Sequence, residues 1–305
     1  MSKLKGTIQG LLSGMFWGLD TSLNGFVLTL VPFILLDSRL ISGALLLAFF
    51  HDLISAVLLT ISLGVKGKLG GIGSLLQKRS SQFVMLASLF AGPLGMRAYL
   101  SAVELLGSSL TATISATYPA LAAILGAIFL KDRLNKRGWL GLGLTILAVI
   151  ILGYTNSTPF NNLFWGVLVV SLCVFGWAAE SVITAYGMKD DILPEQALFI
   201  RQWTSSIVYL FFMFFEGDIF YSLTQVLTSV SIVLIIILAT IGTLSYLFYY
   251  SAIDSIGPVK ATSLNVTYSL WTVIFSLFLS GGNLEMKLIA CGFLIIVGSS
   301  LIIKN

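Results

Sequence analysis

The sequence predicts an all-α integral membrane protein of ten transmembrane helices, arranged as two inverted five-helix repeats. Three observations carry that expectation. Of 305 residues, 57% are hydrophobic and 10% charged, with a mean hydropathy of +0.99, so the chain holds more apolar surface than one soluble core can bury. Apolar stretches near the length of a bilayer span, about 20 residues at 1.5 Å rise each, follow one another with short links and leave no room for a soluble domain. A pattern of rings and polar groups also recurs between the two halves of the chain.

Taken in order, the first half is expected to span at Gly6 to Leu30, Gly43 to Gly64, Ser81 to Leu106, Ser109 to Leu130 and Gly138 to Tyr154. Residues 1 to 30 have the basic start and apolar run of a signal peptide. They also carry Trp17, Asp20 and Asn24 and lack a small-residue cleavage site, so they read as a retained first helix. Pro93 and Pro119 each remove a helical hydrogen bond and are expected to kink their spans. The polar, proline-containing link Thr155 to Asn162 separates residues 1–155 from 156–305. The second half is expected to span at Leu163 to Gly187, Pro194 to Phe215, Ser229 to Ile253, Pro258 to Ser280 and Met286 to Ile303. Basic residues such as Lys3, Lys5, Lys66, Arg79, Lys131, Arg137, Lys189 and Lys260 flank one set of span ends, and only Arg39 and Lys287 the other. Cytoplasmic loops carry the basic excess, which puts both termini in the cytoplasm of a cell bounded by an inner membrane. The same scatter of charge along span ends speaks against a nucleic-acid partner.

The repeat is read twice. At an offset of 160, Trp17, Asp20, Thr21 and Asn24 match Trp177, Glu180, Ser181 and Thr184, one helical stripe of ring, acid and polar groups in each half. At an offset of 150, Tyr99 to Gly107 (YLSAVELLG) matches Tyr249 to Gly257 (YYSAIDSIG), and Thr117-Tyr118 matches Thr267-Tyr268. Five spans per half is an odd number, so the second copy enters the bilayer inverted, an architecture found mainly in transporters.

Ionisable groups in a bilayer are costly unless paired or wet, so Asp20, Asp52, Arg97, Glu180 and Arg201 are expected to face the interior. Some of these, Asp20 and Arg97 above all, can equally form static ion pairs between helices. Glu180 has a ring one turn away and no base beside it in sequence. Aromatic faces around one carboxylate suit a permanently charged ammonium, which binds through cation–π and Coulomb attraction. The residues thus point to a mid-membrane cation site of Trp17, Trp177, Glu180, Tyr246, Tyr268 and Trp271 between the halves. His51 precedes Asp52, a pairing that can pass protons, although a lone helical histidine is more often a hydrogen-bonded packing residue. Cys173 and Cys291 read as packed thiols. With no phosphate loop, metal-spaced ligand set or nucleophile–base pair, the sequence gives no basis for an enzyme, a metal or a cofactor.

The motifs FWGL (16–19), AGPLGM (91–96), GSSL (107–110), ATYPA (116–120), WxxES (177–181), IRQ (200–202), SYLFYY (245–250) and KATSLNVTYSLWTV (260–273) touch both halves. In their joint order the chain resembles the drug/metabolite transporter superfamily with EamA-type repeats, and more closely the Lic-type bacterial choline permeases. The resemblance implies import of choline or a close quaternary amine by alternating access, with proton coupling, at a site whose matching positions are Trp17, Trp177, Glu180, Gln202, Tyr246, Tyr268 and Trp271. It departs at Asp20 and Arg97, which the close permeases do not generally carry. Paired together these leave choline the best substrate, whereas an Arg97 facing the site would favour a betaine or an amino acid. An exporter of amino acids or other small metabolites is the competing transport reading. A non-transporting membrane subunit that binds a protein partner is the alternative of another class.

Overall fold

The computed structural model describes residues 3–35, 42–153, 160–189, 192–280 and 286–303. The expected boundary at residues 155/156, Arg39 and Lys304 lie outside the described residues. Among those described there is no strand. The long helices are α1 (Lys3–Leu28), α2 (Gly43–Val65), α3 (Arg79–Leu89, Phe90–Met96 and Arg97–Leu106), α4 (Ser108–Ser115 and Tyr118–Phe129) and α5 (Lys136–Gly153). They continue as α6 (Phe160–Gly187), α7 (Pro194–Glu216), α8 (Ser231–Ile256), α9 (Pro258–Asn265 and Tyr268–Ser280) and α10 (Met286–Ile303). Among the described residues, seven helices are long and apolar enough to cross a membrane. Large apolar side chains such as Phe129, Phe215 and Phe278 are exposed on the outside of the bundle, as lipid-facing residues are.

Local chemistry explains where the helices bend and stop. Pro93 lies in a π-helical segment, Phe90–Met96, where the missing proline N–H is absorbed by wider turns. The α4 helix is broken at Ala116–Thr117, and Pro119 then sits in the first turn of its second piece, where no N–H is needed. The α9 helix is broken at Val266–Thr267 with no proline to announce it. Gly107 and Gly257 hold φ of 79° and 81°, which side-chain-bearing residues rarely adopt, and each turns the chain from one helix into the next. These breaks and turns recur at the 150-residue offset read from the sequence.

The packing pairs α1 with α8 and α9, and α6 with α3 and α4, while α2 packs on α7 and α5 on α10. The α1 and α8 helices run antiparallel, because Gly6 lies against Ile256. So do α3 and α6, because Gly166 meets Leu106 and Gly187 meets Ser80. Each half's first helix therefore crosses into the other half, and the polar stripes of α1 and α6 meet in the centre.

Candidate functional site

The centre of the bundle is an aromatic cavity lined by Trp17, Tyr118, Trp177, Glu180, Ser245, Tyr246, Tyr249 and Asn265. Trp17 sits edge-on to Trp177 with centroids 5.5 Å apart and to Tyr246 at 5.1 Å. Tyr99 stands 4.8 Å from Trp177, and Tyr118 stands 5.8 Å from it on another side. Edge-to-face contacts at these separations are favourable in themselves, so the rings hold one another while their faces line one space. That space is narrow in this conformation, at about 20 Å³, room for a water-sized sphere.

Helix breaks deliver two of the lining groups. Tyr118 opens the second piece of α4, Asn265 ends the first piece of α9, and the phenol donates to the Asn265 Oδ1 at 2.9 Å. The Asn265 amide donates to Ser13 Oγ at 2.8 Å. Gly95, in the motif after Pro93, lets the indole of Trp177 lie close, since a Cβ there would fall 2.7 Å from Trp177 Cδ1. Trp177 Nε1 is buried without a hydrogen-bond partner among the described residues, so the cavity wall contains an unused donor.

Glu180 is 3% exposed and accepts from Tyr250 Oη at 2.8 Å. The expectation that it has no base beside it is corrected by the fold, because α7 places Arg201 Nε 4.0 Å from Glu180 Oε1. Arg201 is fully buried. It donates to Asp52 Oδ1 at 3.2 Å, to Tyr246 Oη at 2.8 Å and to Gln202 Oε1, and its guanidinium lies 4.1 Å from the centroid of the Tyr246 ring. Gln202 in turn donates to Ser55 Oγ at 2.8 Å, so its amide orients the guanidinium rather than lining the cavity.

Beyond Arg201 the polar chain continues. His51 Nδ1 is 3.1 Å from Asp52 Oδ1 and His51 Nε2 is 3.2 Å from Asp20 Oδ1, all three side chains being fully buried. Asn24 Nδ2 donates to Asp20 Oδ2 at 2.8 Å. A neutral imidazole has one N–H, so contacts to carboxylates at both nitrogens require a proton shared among the three groups. Gly242 on α8 makes space for them, since a Cβ there would fall 2.2 Å from His51 Nε2.

The remaining expected residues stand elsewhere. Arg97 does not meet Asp20: its guanidinium pairs with Glu216 on α7 and lies over Phe212, with 33% of its side chain exposed. Tyr268 is buried between α9 and α4, its hydroxyl 2.6 Å from Ser115 Oγ. Trp271 stacks on Phe275 and covers Gly18. Neither lines the cavity. Sequence reasoning missed Tyr118, Ser245, Tyr249, Asn265 and the Arg201 contact. Tyr118 had a signal, its match to Tyr268 at the 150-residue offset, and Ser245 and Tyr249 lie in the SYLFYY motif beside Tyr246. The Asn265 position and the Arg201 contact arise between helices distant in the chain.

The model of the EamA-like transporter family matches residues 4–154 and again 164–304. The chain belongs to the EamA-like transporter family. It is similar to Protein LicB of Haemophilus influenzae, at 30% identity over 272 residues, which is 88% of this chain and 87% of LicB. A solved crystal structure superposes with a TM-score of 0.74, covering 98% of this chain and 96% of the other, at 16% identity, a likeness of fold alone. Members of this family are transporters rather than enzymes, and this one is a multi-pass membrane protein.

Proposed function

We propose that the protein imports choline, or a close quaternary ammonium, across the inner membrane by alternating access, through ten spans built as two inverted repeats with both termini in the cytoplasm. The observation that carries the reading is the aromatic cavity of Trp17, Tyr118, Trp177, Tyr246 and Tyr249 around the Glu180 carboxylate. Ring faces and one carboxylate supply cation–π and Coulomb attraction, neither of which needs an N–H on the cargo. Charge arithmetic supports a monocation. Asp20, Asp52 and Glu180 oppose Arg201 and a protonated His51, which leaves one negative charge in the buried cluster for a cargo of charge +1. Similarity to LicB and to Lic-type permeases adds to this.

A zwitterionic cargo needs a free base in the cavity. Arg97 lies away from it and Arg201 is engaged by Asp52 and Tyr246, so betaines and amino acids rank below choline. The proton shared by His51, Asp20 and Asp52 supplies a coupling site. A cavity this small admits choline only when the rings of Trp17, Trp177 and Tyr246 separate, as rocking of one half against the other does. The test is uptake of labelled choline into proteoliposomes holding the purified chain, with choline, betaine and amino acids as unlabelled competitors. Saturable uptake blocked only by choline-like amines is the expected result. Uptake of an amino acid but not of choline, by a folded sample, overturns the reading.

A further inference from the structure

Two further cavities open at opposite ends of the bundle. The first, about 580 Å³, is lined by Ser22, Phe26, Val103, Glu104, Gly107 and Ser108 among others, at the end of α1. The second, about 340 Å³, is lined by Asp132, Lys189, Ile253, Asp254, Gly257 and Pro258 among others, at the end where α1 begins, since Gly6 meets Ile256. Adding 150 to Val103, Glu104, Gly107 and Ser108 gives Ile253, Asp254, Gly257 and Pro258. The two mouths are thus built from matching positions, each with a carboxylate one helical turn before a positive-φ glycine.

Their electrostatics differ. Glu104 is the one charged residue among those lining the first mouth, whereas the second sets Lys189 against Asp132 and Asp254, with Lys260 also near Asp132, so that its two acids are matched by two bases. The first mouth has the volume of an ordinary small-molecule pocket, and its wall offers the Phe26 ring and the hydroxyls of Ser22 and Ser108 beside the acid. On α1, Ser22 lines the mouth and Trp17 the aromatic cavity, about 7.5 Å apart along the axis at the helical rise. At the level of α1 between them, the buried Thr21 Oγ1 and Tyr99 Oη lie 2.9 Å apart.

We propose that the Glu104 mouth is a second cation-binding site, where an organic monocation docks from the outer side before the aromatic cavity opens to it. The Asp254 mouth is its counterpart on the basic side, with its attraction for cations offset by Lys189 and Lys260. This rests on the reading of the protein as an importer of a quaternary ammonium. Glu104 also accepts a hydrogen bond from the Ala44 N–H at the start of α2, so the carboxylate has a structural role that any test must set apart. Glutamine keeps an acceptor for that N–H and removes the charge.

The experiment measures uptake of labelled choline from the medium by cells producing the full chain, across a range of ionic strengths. Glu104→Gln is expected to raise the half-saturation concentration about three- to tenfold at low ionic strength with the maximal rate within about twofold, and added salt is expected to close the gap. Glu104→Asp is expected to recover most of the difference, and Asp254→Asn to leave half-saturation from the medium unchanged. A Glu104→Gln protein with parental half-saturation, or with only a lower maximal rate, overturns the docking site and leaves Glu104 as the cap of α2. An Asp254→Asn effect equal to that of Glu104→Gln overturns the assignment of sides. If the folded parent takes up no choline at all, the cation-importer reading itself fails, and the docking site with it.

Discussion

The buried ionic chain and the aromatic cavity lie side by side and solve one electrostatic problem in opposite ways. Along Asp20, His51, Asp52 and Arg201 every charge is met by an opposite charge within the protein, at 3.1 to 3.2 Å, even though Asp52 Oδ2 and Arg201 Nε have no hydrogen-bond partner among the described residues. Around Glu180 the protein leaves the balance incomplete: one tyrosine hydroxyl at 2.8 Å, a guanidinium only at 4.0 Å, and a tryptophan donor with no partner. Buried charge is tolerated when paired, so the first arrangement is stable as it stands, and on the proposed function the second is completed by the cargo. On that reading a scaffold and a site lie within a few ångströms of each other.

The largest expected effect breaks the scaffold. Arg201→Leu leaves Glu180 without its cation and Asp52 with His51 alone, and we predict a loss of about 3–5 kcal/mol in stability, seen as a fall in the thermal inactivation midpoint in detergent together with loss of uptake. An Arg201→Leu protein as heat-stable as the parent would erase the distinction between the two regions. Glu180→Gln should act on the site alone: Tyr250 can still donate to the amide oxygen, while choline uptake efficiency falls about 100-fold, as for a truncated buried charge contact. Parental binding of choline by this variant removes the carboxylate from the mechanism.

His51→Gln sharpens the comparison from the other side, because it keeps polar contacts near Asp20 and Asp52 but removes the dissociable proton. Uptake driven by an imposed pH gradient is expected to drop about tenfold, with exchange of internal for external choline retained. A parental response to the gradient places proton coupling elsewhere. Next in size is Trp17→Leu, expected to weaken choline uptake about tenfold, with Trp17→Phe recovering part of it, since a cation–π contact contributes roughly 0.5–2 kcal/mol. The smallest is Trp271→Phe, where the side chain stacks on Phe275 outside the cavity. Uptake within about twofold of the parent is expected for that exchange of one half-buried ring for another, and a tenfold loss would return Trp271 to the site.

Much of the site was legible because period and polarity coincide on single helices. Trp17 and Asp20 on α1, and Trp177 and Glu180 on α6, lie at i and i+3, a spacing that fixes one face without tertiary information. The matching of Glu104 with Asp254 was equally visible as a repeat. What resisted reading were contacts whose two ends are far apart in the chain. The proximity of Arg201 to Glu180 and of Arg97 to Glu216 follows from how α7 packs against its neighbours, and a cation in an isolated helix pattern does not name its partner. The break of α9 at Val266–Thr267 was hidden too, because no proline or glycine marks it, whereas Pro119 marks the corresponding break in α4.

By itself the sequence determined that this chain lives in lipid, where its helices run, and which acids and rings share a helical face, because hydrophobic length and a 3.6-residue period are local properties. Tertiary structure alone decided the pairing of the charges: that Asp20 faces His51 rather than Arg97, that Arg201 spans Asp52 and Tyr246, and that Tyr118 rather than Tyr268 reaches the cavity. Hydrogen bonds and close ion pairs need their atoms within about 3–4 Å of each other, so the choice of partner is made by helix packing and not by position in the chain.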